Sequence, residues 1–274
     1  MHHRNSFSPG ILPFLLVLLL VVPPALAQDY SLYQKRQYTN ADGNTLPYRV
    51  LYPKNYDRTK KYPLILFLHG AGERGNDNEK QLVHGAKLFL KDENREQFPC
   101  IVIIPQCPTD SYWSSVNIDR STKPSTFDFD YTHPLNWPLV AAMEVVKQVL
   151  KEEGVNKKQL YIMGLSMGGM GTFEALYNFP KVFAAAAPIC GGADVNAYDK
   201  RVQEIPFWVF HGDADAVVSM DNSRKIVDKL KKLNISVDYS EYPGINHNSW
   251  DNAFAEPNLL PWMFSKSRKK AAKF

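Results

Sequence analysis

The chain has few cysteines, a single long apolar run and no large charge excess. Three cysteines in 274 residues are too few for a disulfide-stapled miniature, and a chain of this length can bury a core of its own. Cys100, Cys107 and Cys190 allow at most one intrachain bond, Cys100 with Cys107 or Cys107 with Cys190, and none has the spacing of a metal site. With 45% hydrophobic and 22% charged residues, the composition excludes a disordered or collagen-like chain. No internal repeat or interdomain linker is present.

The apolar run, Ile11 to Val22, has twelve residues, whereas a spanning helix needs about 20. Arg4 precedes it. Pro23, Pro24 and then Ala25-Leu26-Ala27 follow, the small residues at alternate positions that a signal peptidase accepts, so a cut is expected before Gln28. The sequence thus divides into a leader at 1–27, one domain at 28–264 and a basic tail at 265–274. A secreted or periplasmic location is expected, with no stable membrane insertion after the leader is removed.

The net charge of +4 comes from the ends of the chain. Without Arg4 and the tail cations Lys266, Arg268, Lys269, Lys270 and Lys273, the body carries −2. A nucleic-acid binder concentrates positive charge on its folded body, so no nucleic-acid partner is expected. The tail itself reads as a solvated, poorly ordered end.

Unbroken apolar runs occur at Leu64 to Leu68, Cys100 to Ile104, Leu160 to Met163 and Phe207 to Phe210, each ending in a polar or glycine loop. Such runs are the mark of parallel strands covered on both faces. Leu46 to Tyr52 and Ile235 to Tyr239 are further strand candidates. Helical spacing falls between them, over 136–153, 168–178 and 221–233. Alternating strands and helices predict a three-layer α/β domain with a mostly parallel central sheet, in which ligands sit beyond the carboxyl ends of the strands. The polar and aromatic segment Pro108 to Pro134 reads equally as a rim of that site or as an ordinary surface excursion.

The most informative stretch is Gly164-Leu165-Ser166-Met167-Gly168, a G-x-S-x-G between a predicted strand and a predicted helix. A sharp turn there projects the serine hydroxyl above the sheet, and the small neighbours let the chains approach. Ser166 is therefore the candidate nucleophile. It needs a base and a group that orients the base, which in this architecture come later in the chain, acid first. Only His211 and His247 follow it. His211 ends an apolar strand, whereas His247 lies in a loop ahead of a short helical pattern and is the better base. Asp213 and Asp215 are both candidates for the acid. Asp215 is preferred because Ala216-Val217-Val218 can anchor it by packing, and Asp194 and Asp199 are reserves. The oxyanion needs backbone donors. The Met167 amide and, in the loop His69-Gly70-Ala71-Gly72, the Ala71 amide are the candidates. That loop lacks G-x-G-x-x-G and any following Lys-Ser or Lys-Thr, which argues against a dinucleotide or phosphate site. Glu73 and Arg74 beside it form a shaping ion pair or face solvent.

Leu68 to Gly75 (LHGAGERG), Gly164 to Gly169 (GLSMGG), His211 to Val218 (HGDADAVV) and Gly244 to Trp250 (GINHNSW) together resemble the alpha/beta-hydrolase superfamily. The likeness is greatest to exported esterases of the polyhydroxybutyrate depolymerase-like and feruloyl or acetyl-xylan esterase-like group, often labelled predicted peptidases. It covers about Tyr48 to Phe264. It implies Ser166 as nucleophile, Asp215 as acid, His247 as base and Ala71 and Met167 as oxyanion donors, with no metal or organic cofactor and no large cap. Ser219 stands where the pattern usually has proline. The implied activity is hydrolysis of short-chain or aromatic esters through an acyl-enzyme, on small or polysaccharide-linked substrates. A prolyl oligopeptidase-like serine peptidase and a non-catalytic carbohydrate-binding protein are the competing readings. Tyr112 and Trp113 are candidate substrate contacts, with core packing as their competing role.

Overall fold

The computed structural model describes residues 1–2 and 30–274. The expected leader over 1–27 and its cut before Gln28 lie outside the described residues, apart from Met1 and His2. A hairpin of β1 (Gln34–Thr39) and β2 (Thr45–Leu51) leads to β3 (Tyr62–Leu68), and two short helices, α1 (Ala86–Leu90) and α2 (Asp92–Gln97), precede β4 (Ile101–Pro105). A small ribbon, β5 (Val116–Asp119) and β6 (Thr126–Phe129), precedes α3 (Trp137–Glu152). Then come β7 (Val155–Leu165), α4 (Met167–Asn178), β8 (Ala185–Ile189), β9 (Phe207–Gly212), α5 (Asp221–Lys232) and β10 (Val237–Tyr242). Helices α6 (Trp250–Ala255) and α7 (Leu259–Phe264) end the series.

Eight strands form one sheet in the order β1-β2-β4-β3-β7-β8-β9-β10. From β4 to β10 every neighbouring pair is parallel, and β2 runs against both of its partners. Alternation of side chains across a strand divides the apolar runs between two cores. Leu64, Leu66, Leu68, Ile101, Ile103, Leu160 and Ile162 face α3, α4 and α5. Ile65, Phe67, Val102, Ile104, Tyr161 and Met163 face α1, α6 and α7. This is why the strands carry no polar alternation. The result is a three-layer α/β fold with no large inserted cap.

Strand β8 is absent from the sequence reading. Its run AAAPI has low strand propensity, and its position is set by packing instead. Gly169 of α4 lies so close that a Cβ there would press on the Ile189 carbonyl oxygen. Large side chains on β8 would hold the helix away.

All three cysteines are buried free thiols, so neither pairing considered from the sequence forms. Cys100 and Cys107 flank β4 at opposite ends, roughly 20 Å apart along an extended strand, far beyond bonding reach.

The tail is also unlike its expectation. Backbone amides of Arg268, Ala272 and Lys273 donate to the carbonyls of Lys158, Lys157 and Lys181. The Arg268 side chain is 5% exposed. It donates to the Pro180 and Phe183 carbonyls at 3.2 and 3.1 Å and pairs with Glu204 at 3.1 Å. Charge density in the sequence signals solvation, but one arginine with buried carbonyls to satisfy docks the segment against the body. Arg268→Ala leaves those carbonyls unpaired and should destabilise the fold by about 1–3 kcal/mol, read as a lower midpoint in thermal or urea unfolding. An unchanged midpoint would mean that the Arg268 side-chain contacts contribute nothing.

Candidate active site

The carboxyl ends of β3, β7 and β9 bring Gly70, Ser166 and Asp215 to one edge of the sheet. Ser166 sits between β7 and α4 with φ 53° and ψ −117°, a left-handed conformation that costs a non-glycine residue about 1–3 kcal/mol. The Ser166 amide donates to the Ile189 carbonyl at 2.9 Å, which holds the turn. Close approach fixes its neighbours as glycine. A Cβ on Gly168 would collide with the Leu68 carbonyl oxygen, and one on Gly164 with the Gly168 carbonyl.

Ser166 Oγ lies 2.9 Å from His247 Nε2, and His247 Nδ1 lies 2.7 Å from Asp215 Oδ2. A carboxylate only accepts, so Nδ1 carries the ring proton and the bare Nε2 faces the serine hydroxyl. Asp215 Oδ1 accepts from the Val217 and Val218 amides at 2.8 and 2.9 Å. Burial pushes this carboxyl up, but hydrogen bonds from His211, His247 and Val218 outweigh burial and hold it well below the usual carboxylate range. Asp213 is not in the chain of contacts. Its exposed carboxylate accepts from the Gly244 amide at 2.6 Å and braces the loop that carries His247. The two loops are laced further by Ala214 N–H to the Ile245 carbonyl and Ala216 N–H to Asn246 Oδ1. Asp194 and Asp199 accept from nearby backbone amides in a different loop.

The Met167 amide opens α4, and the Ala71 amide opens a 3-10 turn over Ala71–Glu73. Amides in these positions have no partner within their own helices. The Met167 side chain is buried in the core, whereas Ala71 lines the cleft. His69 sets the direction of the Ala71 amide. The Cys107 amide donates to His69 Nε2 at 2.9 Å, so the ring proton is on Nδ1, which donates to the Gly70 carbonyl at 2.6 Å. Across a planar trans peptide, the next N–H points the opposite way. Burial, offset in part by the Gly70 bond, pushes the His69 imidazole down to about 4.

The cleft above Ser166 has a volume of about 230 Å³. Tyr112 lines it, with the Arg74 guanidinium 5.8 Å from the ring centre. Trp113 does not. It is fully buried, donates from Nε1 to the His69 carbonyl at 3.1 Å and packs over Gly171, so of its two candidate roles it fills core packing. Arg74 binds the Ala71, Thr109 and Ser111 carbonyls, and Glu73 Oε1 lies 3.8 Å from His84 Nε2. The ion pair considered for Glu73 and Arg74 does not form among these contacts. The ribbon of β5 and β6 makes the 108–134 segment a rim. Ser125 donates to the Val217 carbonyl at 3.1 Å, and Arg120 and Phe127 reach the cleft. His84, Arg120, Phe127 and Trp250 also line it and escape the sequence reading. They come from separate segments with no local motif, although Trp250 lies within the stretch that carries His247.

The fold is that of an alpha/beta hydrolase, with a serine at the turn after a central strand and a histidine and a carboxylate within hydrogen-bond reach of each other. A family model for phospholipase/carboxylesterase matches residues 55–256, and the chain belongs to that family. It is 29% identical over 157 residues to the bifunctional acetylxylan esterase/xylanase XynS20E of Neocallimastix patriciarum, covering 57% of this chain and 20% of that protein. It is 25% identical over 199 residues to a probable carboxylesterase SOBER1-like of Arabidopsis thaliana, covering 67% and 72% of the two chains. The crystal structure of a thermostable esterase superposes with a TM-score of 0.79 at 37% identity, over 87% of this chain and 64% of that one. The chain thus spans one fifth of the length of the first relative and under two thirds of the thermostable esterase.

The neutral, buried His69 links stability to pH. Its folded value lies below the unfolded one, so its contribution is complete above the unfolded value near 6.5 and is lost as pH falls toward 4. The loss should reach about 3 kcal/mol. It is measured as the difference between the pH dependences of urea unfolding for the wild type and His69→Gln, and parallel curves would refute it.

Proposed function

We propose that the protein is a serine carboxylic-ester hydrolase that acts through an acyl-enzyme on short-chain or aromatic esters, including esters carried on polysaccharide. The observation that carries this reading is the hydrogen-bonded sequence Ser166–His247–Asp215, which opens into a cleft where two helix-start amides are free of helical partners. In this reading His247 Nε2 takes the Ser166 proton as Oγ attacks the ester carbonyl. Asp215 holds the tautomer and stabilises the imidazolium. The Ala71 and Met167 amides receive the oxyanion. His247 then protonates the departing alcohol, and water activated by the same ring releases the acid.

The cleft supports a small acyl group. About 230 Å³ is below the usual range for drug-sized ligands, roughly 300–1,000 Å³, and Tyr112, Phe127, Val217 and Trp250 provide flat or apolar walls. The resemblance to an acetylxylan esterase supports a carbohydrate-linked alcohol. The apolar run Ile11 to Val22, with Ala25-Leu26-Ala27 behind it, supports export of the enzyme.

Purified protein is assayed on acetyl, butyryl and feruloyl esters and on peptidyl amides, beside Ser166→Ala. Ester turnover that Ser166→Ala abolishes is the expected result. Ester turnover that survives unchanged in that variant, or amide cleavage without ester cleavage, would overturn the assignment. Asp215→Asn is expected to lower kcat by about 10⁴-fold through the wrong imidazole tautomer. Asp213→Asn, which only weakens a loop brace, should stay within about tenfold of wild type. The reverse order would move the acid to Asp213.

A further inference from the structure

His211 is fully buried beside the proposed catalytic centre, and the acyl-transfer steps above do not use it. It is the penultimate residue of β9, four residues before Asp215. Its Nε2 lies 2.9 Å from the Val218 carbonyl and 3.2 Å from Asp215 Oδ2. The Val218 carbonyl only accepts, so Nε2 carries a proton, and that proton is shared between the carbonyl and the carboxylate. Asp215 Oδ2 is the same oxygen that accepts from His247 Nδ1 at 2.7 Å. One carboxylate oxygen therefore faces two imidazoles, the shorter contact being to His247.

The other edge of the His211 ring is fixed as well. Nδ1 lies 2.7 Å from Ser223 Oγ, at the start of α5, and that hydroxyl lies 3.4 Å from the Gly191 carbonyl. Gly191 packs directly on Gly169 and Met170 of α4, the helix that Ser166 begins. With the ring proton on Nε2, Ser223 Oγ donates its single proton to Nδ1, and the Gly191 carbonyl is only a packing neighbour of that hydroxyl. The side chains of Ser223 and His211 thus connect the acid loop to α5. Ser223, like His211, has no measurable exposure, so neither contact competes with solvent.

We infer that His211 is a positioning residue for the Ser166–His247–Asp215 sequence, its Nε2–H holding Asp215 Oδ2 in line with His247 and drawing off part of that oxygen's hydrogen-bonding capacity. A carboxylate that loses one donor accepts more strongly from the other. It then favours a charged His247, and a base that is charged over a wider pH range is available over a narrower one. Removing the His211 donor therefore moves the acid limb of kcat/KM to higher pH, while the loosened carboxylate lowers kcat. Other ionisable groups face this cluster: Cys190 from the loop after β8 faces Asp215, Glu73 from the 3-10 turn faces His247, and Glu241 from β10 faces His211. They are unchanged in every variant, so the displacement reads the His211 contact.

The inference rests on the ester-hydrolase reading, and its test has one arm that needs no turnover. His211→Leu removes both ring nitrogens at similar bulk, and His211→Gln returns an amide N–H near the Nε2 position. Rates on a short-chain ester are followed against pH, with the folded fraction taken from thermal unfolding. His211→Leu should lose about 10- to 100-fold in kcat, the usual size for an orienting partner, with KM nearly unchanged and the acid limb displaced upward. His211→Gln should recover most of both. If His211→Leu does not fold, Ser223→Ala frees the ring to rotate and should displace the limb less, in the same direction. In parallel, the low-field proton resonance of His247 Nδ1–H should move further downfield in the same variant, and this is read even if no ester is turned over. An acid limb and a resonance that both stay at their wild-type positions in the folded variant would overturn the inference, whatever happens to kcat. So would a His211→Gln protein as impaired as His211→Leu.

Discussion

The close passage of α4 across the end of β3 is the constraint on which the rest of the site depends. Leu68 ends β3 with its carbonyl turned toward the first turn of α4, and only hydrogen fits in place of a Cβ on Gly168. That contact forces the chain to leave β7 through a left-handed residue, and the residue that takes the strain is Ser166. The same contact brings the loop after β3, with Gly70 and Ala71, to the serine. The positions of the hydroxyl and of the two helix-start amides are thus consequences of one backbone approach. Ala186 of β8 belongs to the same constraint, because it lies on the face toward α4 and a larger side chain there would lift the helix away from the sheet.

The histidine is positioned by different means. His247 lies in a loop with no secondary structure of its own, and its place follows from the lacing of that loop to the acid loop through Asp213, Ala214 and Ala216. Gly212 tightens the arrangement, since a Cβ there would meet the Ile245 carbonyl oxygen. Backbone amides and one carboxylate thus hold a loop that has no ladder of its own. The two aspartates of the acid loop have separate tasks in this geometry: one braces the histidine loop, and the other faces the imidazole.

These differences explain what the sequence reveals and what it hides. The central strands and the three longer helices are legible because burial on both faces leaves unbroken apolar runs, and burial on one face leaves helical spacing. Ser166, His247 and Asp215 are legible because the turn and the two loops require particular small or polar residues at short spacing. The separation of Asp213 from Asp215, by contrast, depends on which carboxylate points back toward His247, and a spacing rule supports it only by analogy. Trp113 illustrates the opposite limit. Its neighbour Tyr112 faces the cleft while Trp113 packs over Gly171, and in an irregular segment nothing in the order of residues distinguishes the two. The docking of the tail is hidden because charge density says nothing of which buried carbonyls Arg268 can reach.

The rim is tied to the centre through Val217. The ribbon between β4 and α3 contributes Arg120 and Phe127 to the cleft and is tied at its turn to the Val217 carbonyl. Val217 is also a donor to Asp215, through its amide. A shift of the ribbon tip therefore pulls on the peptide unit after Val217, which also carries the Val218 N–H, while the Val217 N–H belongs to the unit before it, and Asp215 keeps that Val217 amide and both histidines as further partners. Those remaining contacts hold the carboxylate when the ribbon tip moves. The ribbon can change in length and sequence, and with it the shape of the cleft, while the geometry at Ser166 stays fixed by the passage of α4 across β3.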